Sequence, residues 1–445
     1  MRRVDFKKNS KKSVRLSAYR GKRKLTEFLG LKEDSIDWTG IQEDTRYFTH
    51  GLHPYPARMP PHISRRLIRM YSKNQEDLVL DPFCGSGGVL VEAMLYDRMA
   101  IGVDLNPLAV LIAKVKTTPL NPETLYKVKY KLLEGAAQRL KSSNYEVPNI
   151  KNLDYWFKPE AVAGLAAIKE ELEELSLMEE VADFFRVCFS LTVRETSNLR
   201  KGEFKLYRRS VAELEKFKPD PLKTFSEIVS ENIQRMADFY FEMLKHPKGK
   251  ARVFKGDTRN LLELGVVDKG SVDLVVTSPP YGDSHTTVAY GQFSRFSLLW
   301  LGFPEQEAYS VDSKSLGGRV LKKEKNLGSA TLDLVLSKID QVDQSRAKEV
   351  YSYFYDADVS LEQVAKSLRE GAYCCYVIAN RTVRRVKVPT DQIFVELAQK
   401  YGLKHVVTFR REIPNKYIPH VNAPENVRGF KGETMTKESI VVWKA

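Results

Sequence analysis

Short apolar runs and longer amphipathic stretches divide this chain into three regions with different periodicities. Leu78-Val79-Leu80 reads as a buried parallel strand, Asp81-Pro82-Phe83-Cys84-Gly85-Ser86-Gly87 as a glycine turn, and Val89 to Leu95 as the helix after it. Ala100-Ile101-Gly102-Val103-Asp104 is the next strand and completes a βαβ unit. Upstream, the proline-bearing turn His53 to Pro60 precedes a helical face made by Ile63, Leu67, Ile68 and Tyr71. From about Thr118 to Gly249 the alternation gives way to long charged amphipathic stretches, Pro122 to Leu140, Pro159 to Leu177 and Leu222 to Lys245, which predict a helical insertion. Strand pattern resumes at Arg252-Val253-Phe254, which ends at Gly256-Asp257, and again at Val272 to Val276 and Gly371 to Ile378. Ile393 to Tyr401 is helical, and Lys404 to Arg410 with Ser439 to Val442 form a closing antiparallel pair. The expectation is an α/β protein with a largely parallel sheet in four segments: 1–24, 25–117, the insertion at 118–249, and 250–445.

Charge adds a first functional constraint. The 445 residues carry 71 Lys and Arg against 57 Asp and Glu, a formal net charge of +14 that favours a polyanionic partner. Residues 1–24 hold eleven of the basic residues and one Asp, so this arm supplies +10 of the excess. It reads either as a solvated terminus or as a flexible arm that orders on a phosphate backbone. A second basic group, Arg194, Arg200, Lys201, Arg208 and Arg209, lies inside the insertion, which is either a structural cap or a reader of phosphates. A third, Arg381, Arg384 and Arg385 with Lys387, follows the strand that ends near Asn380, and a fourth is Arg410, Arg411 and Lys416.

No apolar run reaches the roughly 20 residues that span a bilayer, and the basic start lacks the apolar segment of a signal peptide, so a cytoplasmic location is expected. The four cysteines, Cys84, Cys188, Cys374 and Cys375, have no metal-ligand spacing and are expected to be reduced, with no metal site.

The candidate chemistry lies at Thr277-Ser278-Pro279-Pro280-Tyr281, directly after the Val272 to Val276 strand. Two prolines have fixed φ and no N–H, so the neighbouring carbonyls are held rigid and free to accept hydrogen bonds. A planar ligand stacked on Tyr281 would aim amino hydrogens at the Ser278 hydroxyl and the Pro279 carbonyl. With the glycine loop upstream, this motif resembles the S-adenosylmethionine-dependent amino-methyltransferases of nucleic acids. Its Ser-Pro-Pro-Tyr form is similar to the branch that modifies cytosine N4, whereas adenine N6 enzymes more often carry Asp or Asn before Pro-Pro.

The resemblance implies a Rossmann-like class I methyltransferase fold with a seven-stranded sheet and a C-terminal antiparallel strand. It also implies S-adenosylmethionine as cofactor, with Asp81 meeting the methionine amino group, Phe83 lining the pocket, Gly85 and Gly87 allowing close backbone approach, Asp104 binding the ribose hydroxyls and Asp257 meeting the adenine amino group. Ser278, Pro279, Pro280 and Tyr281 would form the catalytic turn. Asp283 and His285 are candidate proton relays or parts of the loop structure. Phe293, Phe296 and Trp300 either pack in the core or wall the base pocket.

Cytosine C5 methylation is a poor fit because the chain has no Pro-Cys pair, and nicotinamide chemistry gives the diproline turn no role. DNA is slightly favoured as the substrate, with structured RNA such as ribosomal RNA as the alternative; adenine N6 methylation and a nucleic-acid-binding protein that has lost catalysis are the lesser readings. Two departures from the DNA enzymes bear on this: the glycine loop precedes Ser-Pro-Pro-Tyr, where many cytosine N4 enzymes have the reverse order, and no long variable segment follows the catalytic half. Deletion of residues 1–24 is expected to weaken substrate affinity and flatten its salt dependence in binding titrations; an unchanged slope would show that the arm takes no part.

Overall fold

Seven strands form the central sheet, and we number them in chain order. They are β1 Leu78–Asp81, β2 Met99–Asp104, β3 Lys250–Lys255, β4 Val272–Thr277, β5 Leu368–Ile378, β6 Lys404–Glu412 and β7 Lys437–Lys444. The computed structural model describes residues 38–40, 43–283, 287–322, 325–413, 421–422, 432–433 and 437–445. The basic arm, His285 and Lys416 lie outside the described residues.

The spatial order is β3-β2-β1-β4-β5-β7-β6. Every neighbouring pair from β3 to β5 is parallel, and β7 runs antiparallel to both β5 and β6. This is the expected Rossmann-like sheet, with β7 as its antiparallel strand. The order reverses between β1 and β4, so the loops at their carboxyl ends diverge to opposite sides and leave a crevice, where open α/β sheets hold ligands.

Two buried clusters hold helices to the sheet. One includes Leu80, Val103, Val275, Phe354, Leu361 and Phe394. The other draws on helices from the segment between β2 and β3: Pro122–Ser142, Pro159–Glu174, Glu179–Thr196 and Pro221–Met243. Three of these four begin with Pro at a first-turn position, where its missing N–H costs nothing. The last buries Phe225, Val229, Ile233, Met236, Phe239 and Met243, the three-and-four spacing of a single helical face. These helices share their core with Leu108 and Ile112 next to the sheet and with Phe293, Phe296 and Trp300, so the inserted segment is built into one compact unit spanning Trp38–Ala445. Phe293, Phe296 and Trp300 are therefore core residues. Phe296 and Trp300 pack around the Phe157 ring at 5.5 and 5.6 Å, and the buried Phe293 packs on Tyr55 at 5.7 Å.

Gly87 shows how tightly the glycine loop is set against its surroundings. It has φ +80°, and an added Cβ would lie 2.9 Å from Ala113 Cβ. Gly87→Ala is expected to lower stability by about 2 kcal/mol in urea unfolding, through left-handed strain together with overpacking.

Candidate active site

A cavity opens at the carboxyl ends of β1, β2, β3 and β4, the crevice side of the sheet. Its walls include Asp81, Phe83, Gly85, Asp104 and Asp257 from the first four strand ends and loops, and Ser278 and Pro280 from the turn after β4. The glycine loop and the diproline turn therefore share one cavity.

Asp81 ends β1. Its Oδ1 accepts from Thr277 Oγ1 at 2.6 Å and from the Phe83 N–H at 3.2 Å, so β1 and β4 are joined at the floor of the crevice. Asp104 ends β2 and accepts from the N–H groups of Gly85 at 2.9 Å and Asn106 at 2.8 Å. The carboxylate thus ties the glycine loop to its own strand. Gly85 has φ +49°, the left-handed region that glycine enters without steric cost. Gly87 does not line the cavity; its missing side chain serves the contact with Ala113 instead of a ligand. Behind the loop, the fully buried Lys116 donates to Ser86 Oγ at 3.0 Å.

Burial pushes both acids up, Asp81 to about 7 and Asp104 to about 6, with the neighbouring Asp104 charge adding to the rise at Asp81. Two carboxyls held in a dry cavity call for a ligand that brings positive charge and hydrogen-bond donors. Asp257 lines the opposite end of the cavity beside Thr258 and Leu316, with its carboxylate paired to Arg259 at 2.6 Å. Arg259 reaches both oxygens, its backbone N–H and Nε donating to Oδ1 at 3.0 Å and its Nη2 to Oδ2 at 2.6 Å.

The turn after β4 is held from several directions. Tyr353, buried on the helix Gln344–Ser367, donates its hydroxyl to the Pro280 carbonyl at 2.5 Å. Tyr281 donates to Glu438 Oε1 at 3.0 Å, and Glu438 in turn accepts from Arg411 Nε at 2.7 Å. Asp283 pairs with Arg381 at 3.0 Å in a buried bridge, which makes it part of the loop structure, not a proton relay. Pro279 and Tyr281 stand behind Ser278 and Pro280 and are not in the cavity wall.

The basic residues divide into two groups. Arg194 turns inward, with Nη1 donating to the Phe293 carbonyl at 2.7 Å and the guanidinium 3.8 Å above the Phe293 ring. Arg381 is also buried. Both are corrected from phosphate contacts to internal supports, because their charge is spent within the fold. Arg208 lies 4.3 Å over Tyr155 and Arg209 lies 4.0 Å over Phe217, both half-buried. Arg200, Lys201, Arg384 and Arg385 are exposed.

Several site residues escaped sequence reasoning. Asn106 donates to Tyr55 at 3.0 Å and to Ser294 at 2.6 Å, and Tyr55 stacks on Tyr290 at 5.8 Å to wall the cavity. Asn106-Pro107 was legible as a helix cap next to Asp104. Tyr353 and Glu438 carried no local signal, because they reach the turn from 73 and 157 residues away in the chain.

A family model described as DNA methylase matches residues 4–115. The type II methyltransferase M.MvaI of Kocuria varians is 35% identical over 425 residues, covering 91% of this chain and 92% of that protein. The chain belongs to the N6/N4 DNA methylase family. The type II methyltransferase M.AvaI of a Nostoc species is 20% identical over 417 residues, with 86% and 84% coverage. A tRNA (guanine(10)-N2)-dimethyltransferase of Methanothermobacter thermautotrophicus is 38% identical, but only over 52 residues, 12% of this chain and 16% of that protein.

This family member is a methyltransferase that uses S-adenosylmethionine and acts on nucleic acid. Its cavity fits the cofactor: two elevated carboxyls suit a cationic, hydroxyl-rich ligand, and the left-handed Gly85 leaves space where a side chain would stand. None of the described helices is long and apolar enough to cross a membrane.

A pH dependence follows from the raised acids. The folded protein holds protons on Asp81 and Asp104 that the unfolded chain has released, so its stability falls as pH rises from about 4 toward 7. A cationic ligand needs these carboxylates ionised, so cofactor affinity by calorimetry is expected to rise from pH 5.5 and level off above about 7. Asp81→Asn should weaken binding and flatten that rise; a wild-type profile in the variant would remove Asp81 from the site.

Proposed function

We propose that this enzyme transfers a methyl group to the exocyclic N4 amine of cytosine in DNA. The observation that carries the reading is Ser278-Pro279-Pro280-Tyr281 at the end of β4, with Ser278 and Pro280 lining the same cavity as Asp81 and Asp104. Serine before the diproline supports cytosine over adenine, by its resemblance to the cytosine N4 branch. Similarity along nearly the whole chain to type II methyltransferases, against a short match to a tRNA enzyme, supports DNA over RNA.

The cofactor supplies a methyl group on a positively charged sulfur. Asp81 holds its amino group, Asp104 the ribose hydroxyls, Asp257 the adenine amino group, and Phe83 packs along it. What the chain must then do is present the amine. Cytosine's amino nitrogen shares its lone pair with the ring and becomes nucleophilic only as it leaves the ring plane. Acceptors at Ser278 Oγ and the Pro279 carbonyl favour that geometry and strengthen as positive charge develops on nitrogen.

Tyr353 fixes the Pro280 carbonyl by one of its lone pairs, and the proposed carbonyl acceptor for the amine is that of Pro279, the next one back in the turn. The Tyr281 ring, fixed by its hydroxyl to Glu438, offers the stacking face for the base, which must first leave the duplex stack. The segment 118–249, with Arg200 and Lys201 exposed, is the proposed reader of the DNA flanking the target.

Incubation with labelled cofactor and separate DNA and RNA pools, followed by digestion to nucleosides, should yield N4-methylcytosine from DNA. N6-methyladenine, or label in RNA alone, would overturn the reading. Tyr281→Ala and Pro280→Ala should each lower kcat by about 10²-fold through loss of positioning, with the cofactor Kd within about threefold of wild type.

A further inference from the structure

Immediately after β5 the chain forms a two-stranded antiparallel ribbon, Arg381–Val383 paired with Val386–Val388. Its eight residues include four cations and no acid. The inner face is fixed by Val383 and Val388, which join the buried cluster, and by Arg381, which pairs with Asp283. Arg381 Nη1 packs against the backbone of Gly282, since a Cβ there would lie 2.2 Å from it. The ribbon is thereby pinned to the residues that directly follow Ser278 to Tyr281. Its outer face presents Thr382, Arg384, Arg385 and Lys387.

The turn at the tip is unusual for its residues. Arg384 and Arg385 have φ of +44° and +65°, the two left-handed positions of a tight hairpin turn that Asn-Gly fills with the least strain. Two arginines held there place a pair of long cationic side chains at the end of a narrow ribbon beside the catalytic turn. Among the described residues, Asp343 pairs with Arg384 at 2.8 Å, Asp283 with Arg381 and Glu349 with Arg346. Arg381 also keeps two buried donors, Nε and Nη2, without an acceptor. A two-stranded ribbon has the width of structures that lie against a DNA groove.

We infer that residues 381–388 form a DNA-backbone clamp, in which Arg384, Arg385 and Lys387 neutralise phosphates flanking the target base and Arg381 fixes the clamp to the catalytic turn. This rests on the reading of the site as one that acts on DNA. The clamp is a sequence-independent contact, separate from the reader proposed between β2 and β3.

The decisive variant replaces Arg384-Arg385 with Asn-Gly, the pair the turn prefers. Its melting temperature should equal or exceed that of wild type, and cofactor binding should be unchanged. DNA affinity should fall roughly tenfold at moderate salt, and the slope of log affinity against log salt should shrink by about two, near 0.9 per lost phosphate contact.

Lys387→Ala, outside the turn, should reduce the slope by about one by the same rule. Asp343→Asn removes the internal partner of Arg384 and should leave DNA binding equal or tighter; a loss matching Arg384→Ala would mean that Arg384 only anchors Asp343, and would overturn its assignment. Unchanged affinity and slope in both the Asn-Gly and Lys387→Ala variants, with wild type binding and methylating DNA, would overturn the clamp alone. Wild type that neither binds nor methylates DNA would instead overturn the functional reading on which the clamp rests.

Discussion

One hydrogen bond ties the two halves of the chemistry together. Thr277 Oγ1 donates to Asp81 Oδ1 at 2.6 Å across the paired ends of β4 and β1, between residues 196 positions apart in the chain. Parallel pairing of Val79 with Leu274 and Leu80 with Val275 brings these strand ends level. The side-chain bond then fixes the carboxyl that opens the glycine loop relative to the residue that opens the diproline turn. Both groups are buried, so water does not compete for this bond, and leaving either partner unsatisfied would cost more than the bond itself contributes. The glycine-loop end and the diproline end of the cavity are consequently set by the sheet, which is the rigidity that positioning of two reactants needs.

The same arrangement sets the electrostatics of the two acids. Asp81 and Asp104 end adjacent parallel strands, burial raises both, and the Asp104 charge adds to the rise at Asp81. Hydrogen bonds from Thr277, Phe83, Gly85 and Asn106 offset part of that cost and fix which oxygens remain available. A cationic cofactor relieves the remainder, so part of the binding free energy comes from discharging a strain built into the fold.

Legibility in the sequence followed the range of the interactions. The βαβ unit, the Ser-Pro-Pro-Tyr turn and the closing strands were readable because a short apolar run, a glycine turn or a proline pair specifies local backbone by itself. The acids Asp81 and Asp104 were readable by their places at strand ends. Basic residues were not readable as contacts, because composition does not say which way a side chain turns: Arg194 reads like Arg200 in the sequence, yet one packs on Phe293 and the other is exposed. Gly87 was read as room for a ligand and proves to be room for Ala113, a neighbour from the following crossover helix.

The supports of the catalytic turn show why its second tier had no sequence signature. Two prolines stiffen the backbone of the turn but do not orient it. Orientation comes from Tyr353 on the Pro280 carbonyl, Glu438 on the Tyr281 hydroxyl and Arg381 on Asp283, three contacts from three separate elements. Tyr353 takes one lone pair of the Pro280 carbonyl, so the orientation of that carbonyl is a property of the tertiary structure. Glu438 stands on β7, the one antiparallel strand, whose insertion between β5 and β6 carries its first residues toward the carboxyl ends of the parallel strands. Reversing one strand in an otherwise parallel sheet thus delivers a carboxylate to the catalytic side that a parallel strand would have reached only at its far end.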